Sequence, residues 1–167
     1  MIVAIDVDYE NTVAHAAAVG FETWASDTQI LTRTWQSDVI NDYQPGRFYR
    51  RELGPIMGLL GTFDVNPDII VIDAYCHLSQ SGEPGLGMHL YVSMDHRFPV
   101  IGVAKNRFRG TTHALEILRG NSKKPLFVTA AGISLDEAGQ YIASMHGDHR
   151  IPTMIKLADS LSRNWLK

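Results

Sequence analysis

Two aspartates stand where chemistry is done in sheets of alternating strands and helices. Asp6 follows the apolar run "IVAID" and Asp73 follows "PDIIVID". Each run is short and β-branched, reads as a buried strand and closes on its acid, and active groups in open α/β sheets gather outside such strand ends. If the two strands are neighbours, the carboxylates meet at one edge. Two anions about 4 Å apart repel by several kcal/mol at an effective dielectric near 20. A divalent cation reverses that sign, and hard oxygen ligands suit Mg²⁺ or Mn²⁺. Glu52 can complete the set from the loop before a helix, or be held there by the positive end of the helix alone. Lys105 follows a third apolar run, "PVIGVAK", where it neutralises a phosphate or lies solvated at a strand end. His77, four residues after Asp73, is the one histidine near this chemistry. Asp73, Cys76 and His77 do not make a zinc site, because no second Cys/His pair has the spacing for it. A lone cysteine is usually a packing residue, and there is neither a Walker loop nor a G-x-S-x-G elbow.

The elements that must carry these residues follow from the pattern. "IVAID" pairs with "VAHAAAVGFE" and "QILTRTW" as antiparallel neighbours. A helix over "PIMGLLGTF" has Pro55 at its first position, where a missing N–H costs nothing. "PDIIVID" and "PVIGVAK" are two more strands, and "ALEILR" and "PLFVTA" form a pair joined by "GNSKK". "SLDEAGQYIASMHG" opens with a Ser134–Glu137 capping box and closes at Gly147. A last helix, "IPTMIKLADSLSRNW", sets Ile155, Ala158, Leu161 and Trp165 on one face. Strands first, then strands alternating with helices, mean an α/β sheet of mixed direction in a single domain over residues 1–167.

Composition bounds the function. The chain has 167 residues, 45 % hydrophobic and 20 % charged, which is enough to bury a core without disulfides. Its single cysteine points to a reducing compartment, no apolar run is long enough to span a bilayer, and "MIVAID" lacks the basic start of a signal peptide. A cytoplasmic protein without a membrane partner is expected. The net charge of −3 argues against a uniformly basic coat, yet nine of the 15 basic residues fall in three short stretches. These hold Arg47, Arg50 and Arg51, then Lys105, Arg107 and Arg109, then Arg119, Lys123 and Lys124. They are either solvated loops or, if the fold brings them together, a phosphate-binding rim.

One segment, "NDYQPGRFYRREL", carries an aromatic, a Pro-Gly turn and three arginines just before Gly-Pro. Together with "AIDVDY", "DIIVID", "PVIGVAK" and "PLFVTAAGISLDEA…RIPTMIKLAD", in that order from Ile2 to Arg163, it resembles the endonuclease V family. The resemblance implies a ribonuclease H-like fold and Mg²⁺- or Mn²⁺-dependent hydrolysis of a phosphodiester near inosine in DNA or RNA, by a monomer. It implies that Asp6 and Asp73 bind metal, that Glu52 holds a metal-bound water or a second ion, and that Lys105 contacts a phosphate. It makes Tyr43, Pro45 and Gly46 a strand-separating wedge, with Arg47, Arg50 and Arg51 available to the nucleic-acid backbone. The chain departs from the family pattern where Gly-x-Gly is expected after Asp73 and Ala74-Tyr75-Cys76 stands instead. Leu78, Ser79 and Gln80 stand where a His-Pro pair is expected, and Ala131-Gly132-Ile133 replaces a Gly-His-basic motif. The alternative is a non-catalytic nucleic-acid-binding or interaction protein on the same fold, since fold does not fix function. An enzyme acting on a small phosphorylated substrate is a third reading, and it requires a closed pocket.

Overall fold

The computed structural model describes residues 1–38, 49–109 and 111–164, leaving out the side chain of Arg50. Tyr43, Pro45, Gly46, Arg47 and Trp165 therefore lie outside the described residues. In chain order the elements are β1 (Ile2–Glu10), β2 (Val13–Phe21), β3 (Leu31–Asp38), α1 (Tyr49–Leu60), β4 (Ile69–Ile72), α2 (Leu86–Ser93), β5 (Val100–Ala104), β6 (Leu115–Ile117), β7 (Leu126–Ala131), α3 (Leu135–Ser144) and α4 (Thr153–Arg163). Seven strands form one sheet in the order β3-β2-β1-β4-β5-β7-β6. β1, β4 and β5 run parallel at its centre, and antiparallel pairs flank them on both sides. This mixed α/β sheet with helices on both faces is the expected ribonuclease H-like arrangement.

Strand alternation sorts the apolar residues into two cores. Ile2, Ala4, Val71, Ile101, Val103 and Val128 face α3 and α4, where Ala138, Ile142, Met154, Ile155 and Ala158 cover them. Val3, Ile5, Ile70, Ile72 and Val100 face the other way, under Ile56 and Leu59 of α1 and Leu86 and Leu90 of α2. Because both faces are covered, the central strands read as unbroken apolar runs. The face that holds Ile2 and Ala4 is also the face of Asp6.

Several boundaries differ from the sequence expectation. β1 does not close at Asp6. Its last pair with β4 is Ile5↔Ile72, and Asp6–Glu10 continues against β2 alone. Beyond Ile72 the sheet opens, and this is where a crevice forms. Pro55 is not at a first helical position but inside α1. It has no N–H for the carbonyl of Arg51, a penalty of about 3 kcal/mol in a helix interior. Buried Ile56 and Leu59 offset that cost and hold the helix together. Glu52 therefore belongs to the first turn of α1 and not to a preceding loop. α3 ends at Ser144, and Gly147 (φ +108°) serves the turn into α4. The Ser134 cap is as expected, its hydroxyl accepting from the Glu137 N–H. The sequence gives no warning of α2. Its buried residues are Leu86, Gly87 and Leu90, and no side chain caps its start at Gly85.

Candidate active site

The carboxyl ends of the three parallel strands deliver the polar groups. Asp6 stands within β1, one residue past its last pair with β4, Asp73 follows the last residue of β4, and Lys105 follows the last residue of β5. The in-register pair Ile5↔Ile72 makes Asp6 and Asp73 neighbours. α4 packs over β1 and adds Asp159, so that ligand-capable oxygens of Asp6, Asp73 and Asp159 all lie within 4.8 Å of one another. Sequence reasoning misses Asp159. Its one signal is a carboxylate beside buried Ala158 on a helix otherwise packed on the sheet.

These acids line a cavity of about 600 Å³ together with Asp8, Glu52, Lys105 and Arg163. Asp6, Glu52 and Asp73 all line this cavity, but the compact trio has Asp159 in place of Glu52. Glu52 is 7 % exposed and approaches from α1, on the opposite side of the sheet. The apolar wall includes Tyr75, Leu78, Leu86 and Phe108. The Tyr75 hydroxyl donates to the Asn106 carbonyl (2.9 Å) and accepts from the Phe108 N–H (3.1 Å), tying the loop after β4 to the loop after β5.

Electrostatically the site is overloaded with negative charge. Burial pushes the Asp6 carboxyl above its ordinary range, a bond from Ser162 opposes the shift, and the charges of Asp73 and Asp159 add to it. Burial, then Asp6 and Asp73, pushes Glu52 well above the usual carboxylate range. The one ammonium among them is Lys105, whose Nζ is 2.6 Å from Asp73 Oδ2 and 3.3 Å from Asp159 Oδ1. Burial lowers the Lys105 pKa, but the two aspartates outweigh that and leave it above its ordinary value. Arg150 anchors the segment from behind by donating to the carbonyls of Lys105 and Pro125. Three carboxylates at this separation, with burial and mutual repulsion acting on Asp6, suit a hard divalent cation.

The departure "DAYCH" is built into the floor of the cavity. Cys76 is fully buried, its N–H donates to Thr129 Oγ1 (2.8 Å) and its thiol to the Val100 carbonyl (3.4 Å). Gly87 leaves room for the sulfur, since a Cβ there would sit 2.5 Å from Cys76 Sγ. Gly102 of "VIGVAK" does the same for the loop itself, as its Cβ would meet the Ala74 carbonyl at 2.4 Å. Burial raises the Cys76 thiol to about 12, so it is a packing residue and not a nucleophile.

Other expected residues are placed as follows. Arg51 lies over the Tyr9 ring, Cζ 4.4 Å from its centroid. His77 does not line the cavity, and its carbonyl accepts from His113 Nε2 (2.8 Å). Among the described residues of the basic stretches, Arg119 and Arg107 are taken up by partners away from the cavity. Arg119 is 6 % exposed and donates to the carbonyls of Met145, Gly147 and His149. Arg107 pairs with Glu116 and lies over Phe127. Among the described residues, no helix is long and apolar enough to cross a membrane.

Known proteins share this fold. Solved structures similar to it include endonuclease V from Streptomyces avermitilis, at TM-score 0.80 and 29 % identity over 99 % of this chain and 80 % of that one. Another is Ciona intestinalis endonuclease V in complex with a 24mer DNA containing an inosine followed by a ribo-adenosine, at TM-score 0.80 and 21 % identity over 99 % and 84 %. Among curated sequences, endonuclease V of Streptomyces avermitilis is 31 % identical over 99 % of this chain and 80 % of its own length. That of Pyrococcus horikoshii is 27 % identical over 97 % and 72 %. The Endonuclease V family model matches residues 1–124, which hold β1, α1, β4 and β5 with Asp6, Glu52, Asp73 and Lys105. With both its sequence and its sheet so matched, the chain belongs to the endonuclease V family.

Proposed function

We propose that this chain is an endonuclease that hydrolyses a phosphodiester of nucleic acid near an altered base, with a divalent cation, Mg²⁺ or Mn²⁺, held by Asp6, Asp73 and Asp159. The observation that carries it is the meeting of three carboxylates within 4.8 Å at the strand ends of an endonuclease V sheet. A cation bound there supplies charge stabilisation for the phosphate as the bond breaks. Glu52, the buried acid that faces the trio from α1, would hold a water or a second ion beside that cation. Lys105 carries the positive charge that meets a non-bridging phosphate oxygen, and the Asp73 and Asp159 carboxylates keep its ammonium in place. The apolar wall of Tyr75, Leu78, Leu86 and Phe108 gives a base somewhere dry to rest. Tyr43, Pro45 and Gly46 separate the strands in this reading, and Arg47, Arg50 and Arg51 hold the backbone.

Single-turnover cleavage of inosine-, uracil- and abasic-containing strands, with Mg²⁺, Mn²⁺ or EDTA, tests this. Cleavage next to inosine that is lost in EDTA is the expected result, and retention of cleavage in EDTA refutes the metal. If all three strands bind but none is cleaved in either cation, the chain is a binding protein on a nuclease fold.

A further inference from the structure

We propose that Ser162 is a positioning residue for Asp6, holding one carboxylate oxygen so that the other is left for the cation. This rests on the metal-dependent reading above. Ser162 lies on α4 and is 1 % exposed. Its Oγ is 2.5 Å from Asp6 Oδ2, a contact across 156 positions of sequence, and 2.9 Å from the Asp159 carbonyl. The hydroxyl has one proton to give, and a carboxylate is the stronger acceptor. Asp6 makes no other hydrogen bond or ion pair among the described residues, so its Oδ1 remains available.

The neighbouring Ser160 shows what an ordinary helical serine does. It bonds back to the Lys156 carbonyl one turn earlier, at 2.9 Å, on the exposed side of α4. Ser162 instead faces inward, where a hydroxyl is costly unless partnered. Alanine would fill that place with better helix propensity. Asp159 and Ser162 are three residues apart and so share a helix face. α4 thereby delivers both a ligand and the group that orients a second ligand on β1. The arrangement matches the general pattern in which ligating carboxylates are themselves hydrogen-bonded, and loss of such a partner typically weakens metal binding 10- to 100-fold.

The test is a Mn²⁺ titration of the full chain, with free Mn²⁺ read by electron paramagnetic resonance, together with thermal melts in EDTA. Ser162→Ala removes the hydroxyl, and Ser162→Cys keeps the volume but leaves only a weak donor. Both are expected to bind Mn²⁺ roughly 10-fold more weakly than the parent chain. Their melting temperatures in EDTA should stay within roughly 4 °C of it. Ser160→Ala should leave Mn²⁺ affinity unchanged. Unchanged affinity in the two Ser162 variants, whatever their melting temperatures, overturns the positioning role while leaving the metal site standing. If the parent chain itself binds no Mn²⁺, the metal-dependent reading fails first and the role of Ser162 falls with it.

Discussion

Charge is buried in two ways among the described residues, and the two are settled in opposite directions. At the far end of β6, Arg119 is enclosed by the carbonyls of Met145, Gly147 and His149, three acceptors around one guanidinium. Its charge is spread over carbonyl dipoles of the segment between α3 and α4. Where β4 and β5 end beside Asp6 of β1, five carboxylates line one cavity with the single ammonium of Lys105, and two of them are pushed toward their neutral form. The first arrangement holds the chain together. The second is left unbalanced, as expected of a site that expects a cationic guest. A buried charge with its partners complete is architecture, and one with partners missing is a place to look for chemistry.

Substitutions can break or sharpen that contrast. The largest effect is expected from Asp73→Asn, which removes a carboxylate from the compact trio and the close partner of Lys105. Single-turnover cleavage in Mn²⁺ should fall by roughly 10³-fold, with the fold retained by circular dichroism. A loss of less than about tenfold, a barrier change of only about 1.4 kcal/mol, would remove Asp73 from the reaction. Arg119→Met is the matching test at the other pole. It leaves three carbonyls without their donor at a cost of about 3 kcal/mol, a drop of roughly 6 to 12 °C in melting temperature. Cleavage by the folded fraction should not change. If it does, the two regions are coupled and the contrast fails.

A subtler effect is expected from Glu52→Gln in EDTA. With its folded pKa raised, Glu52 retains its proton in the folded chain at pH values where the unfolded chain has lost it. The unfolded state then binds fewer protons, so the stability of the parent chain should decline as pH rises above the ordinary glutamate range and on toward the raised value. Glu52→Gln removes that slope, making the variant the more stable of the two at pH 7 and narrowing the gap toward pH 4.5. Parallel melting curves across that window would mean that Glu52 carries no such strain. The smallest effect belongs to Arg163→Ala. The Arg163–Asp159 pair is 2.9 Å long, but the arginine side chain is 59 % exposed. Such helical pairs are worth about 0.3–0.5 kcal/mol, so the melting temperature should move by no more than about 2 °C.

Legibility in the sequence tracked how local the cause was. The strands that carry Asp6, Asp73 and Lys105 are apolar, β-branched and bounded by polar residues, and these features need no tertiary information. Pro55 misleads because the preference for the first helical turn is only a prior, here overridden by the packing of α1 on the sheet. α2 is missed because Leu86, Gly87 and Leu90 are buried with little polar patterning between them, which leaves no helical period to read. Asp159 is missed, and Arg119 is read only as a loop or rim cation, for a different reason. The aspartate meets Asp6 across most of the chain's length, and the arginine meets carbonyls that any residues would have supplied. Neither partnership leaves a trace in the spacing of neighbouring residues. The family resemblance supplies what local pattern does not, by linking distant stretches as one set.

Cys76, packed against Gly87 beneath the acidic cavity, gives the chain a built-in clock. It is the only thiol, and in the closed fold it is both inaccessible and protonated at neutral pH. A thiol reagent in large excess therefore reacts only when the loop after β4 parts from α2 or the whole chain unfolds. The pseudo-first-order rate at saturating reagent is the opening rate of the cavity floor, read without a label and without cleaving a substrate. Comparing that rate with the global unfolding rate separates breathing of the floor from loss of the fold. Because Cys76 is the one native thiol, the same experiment needs no background cysteines removed.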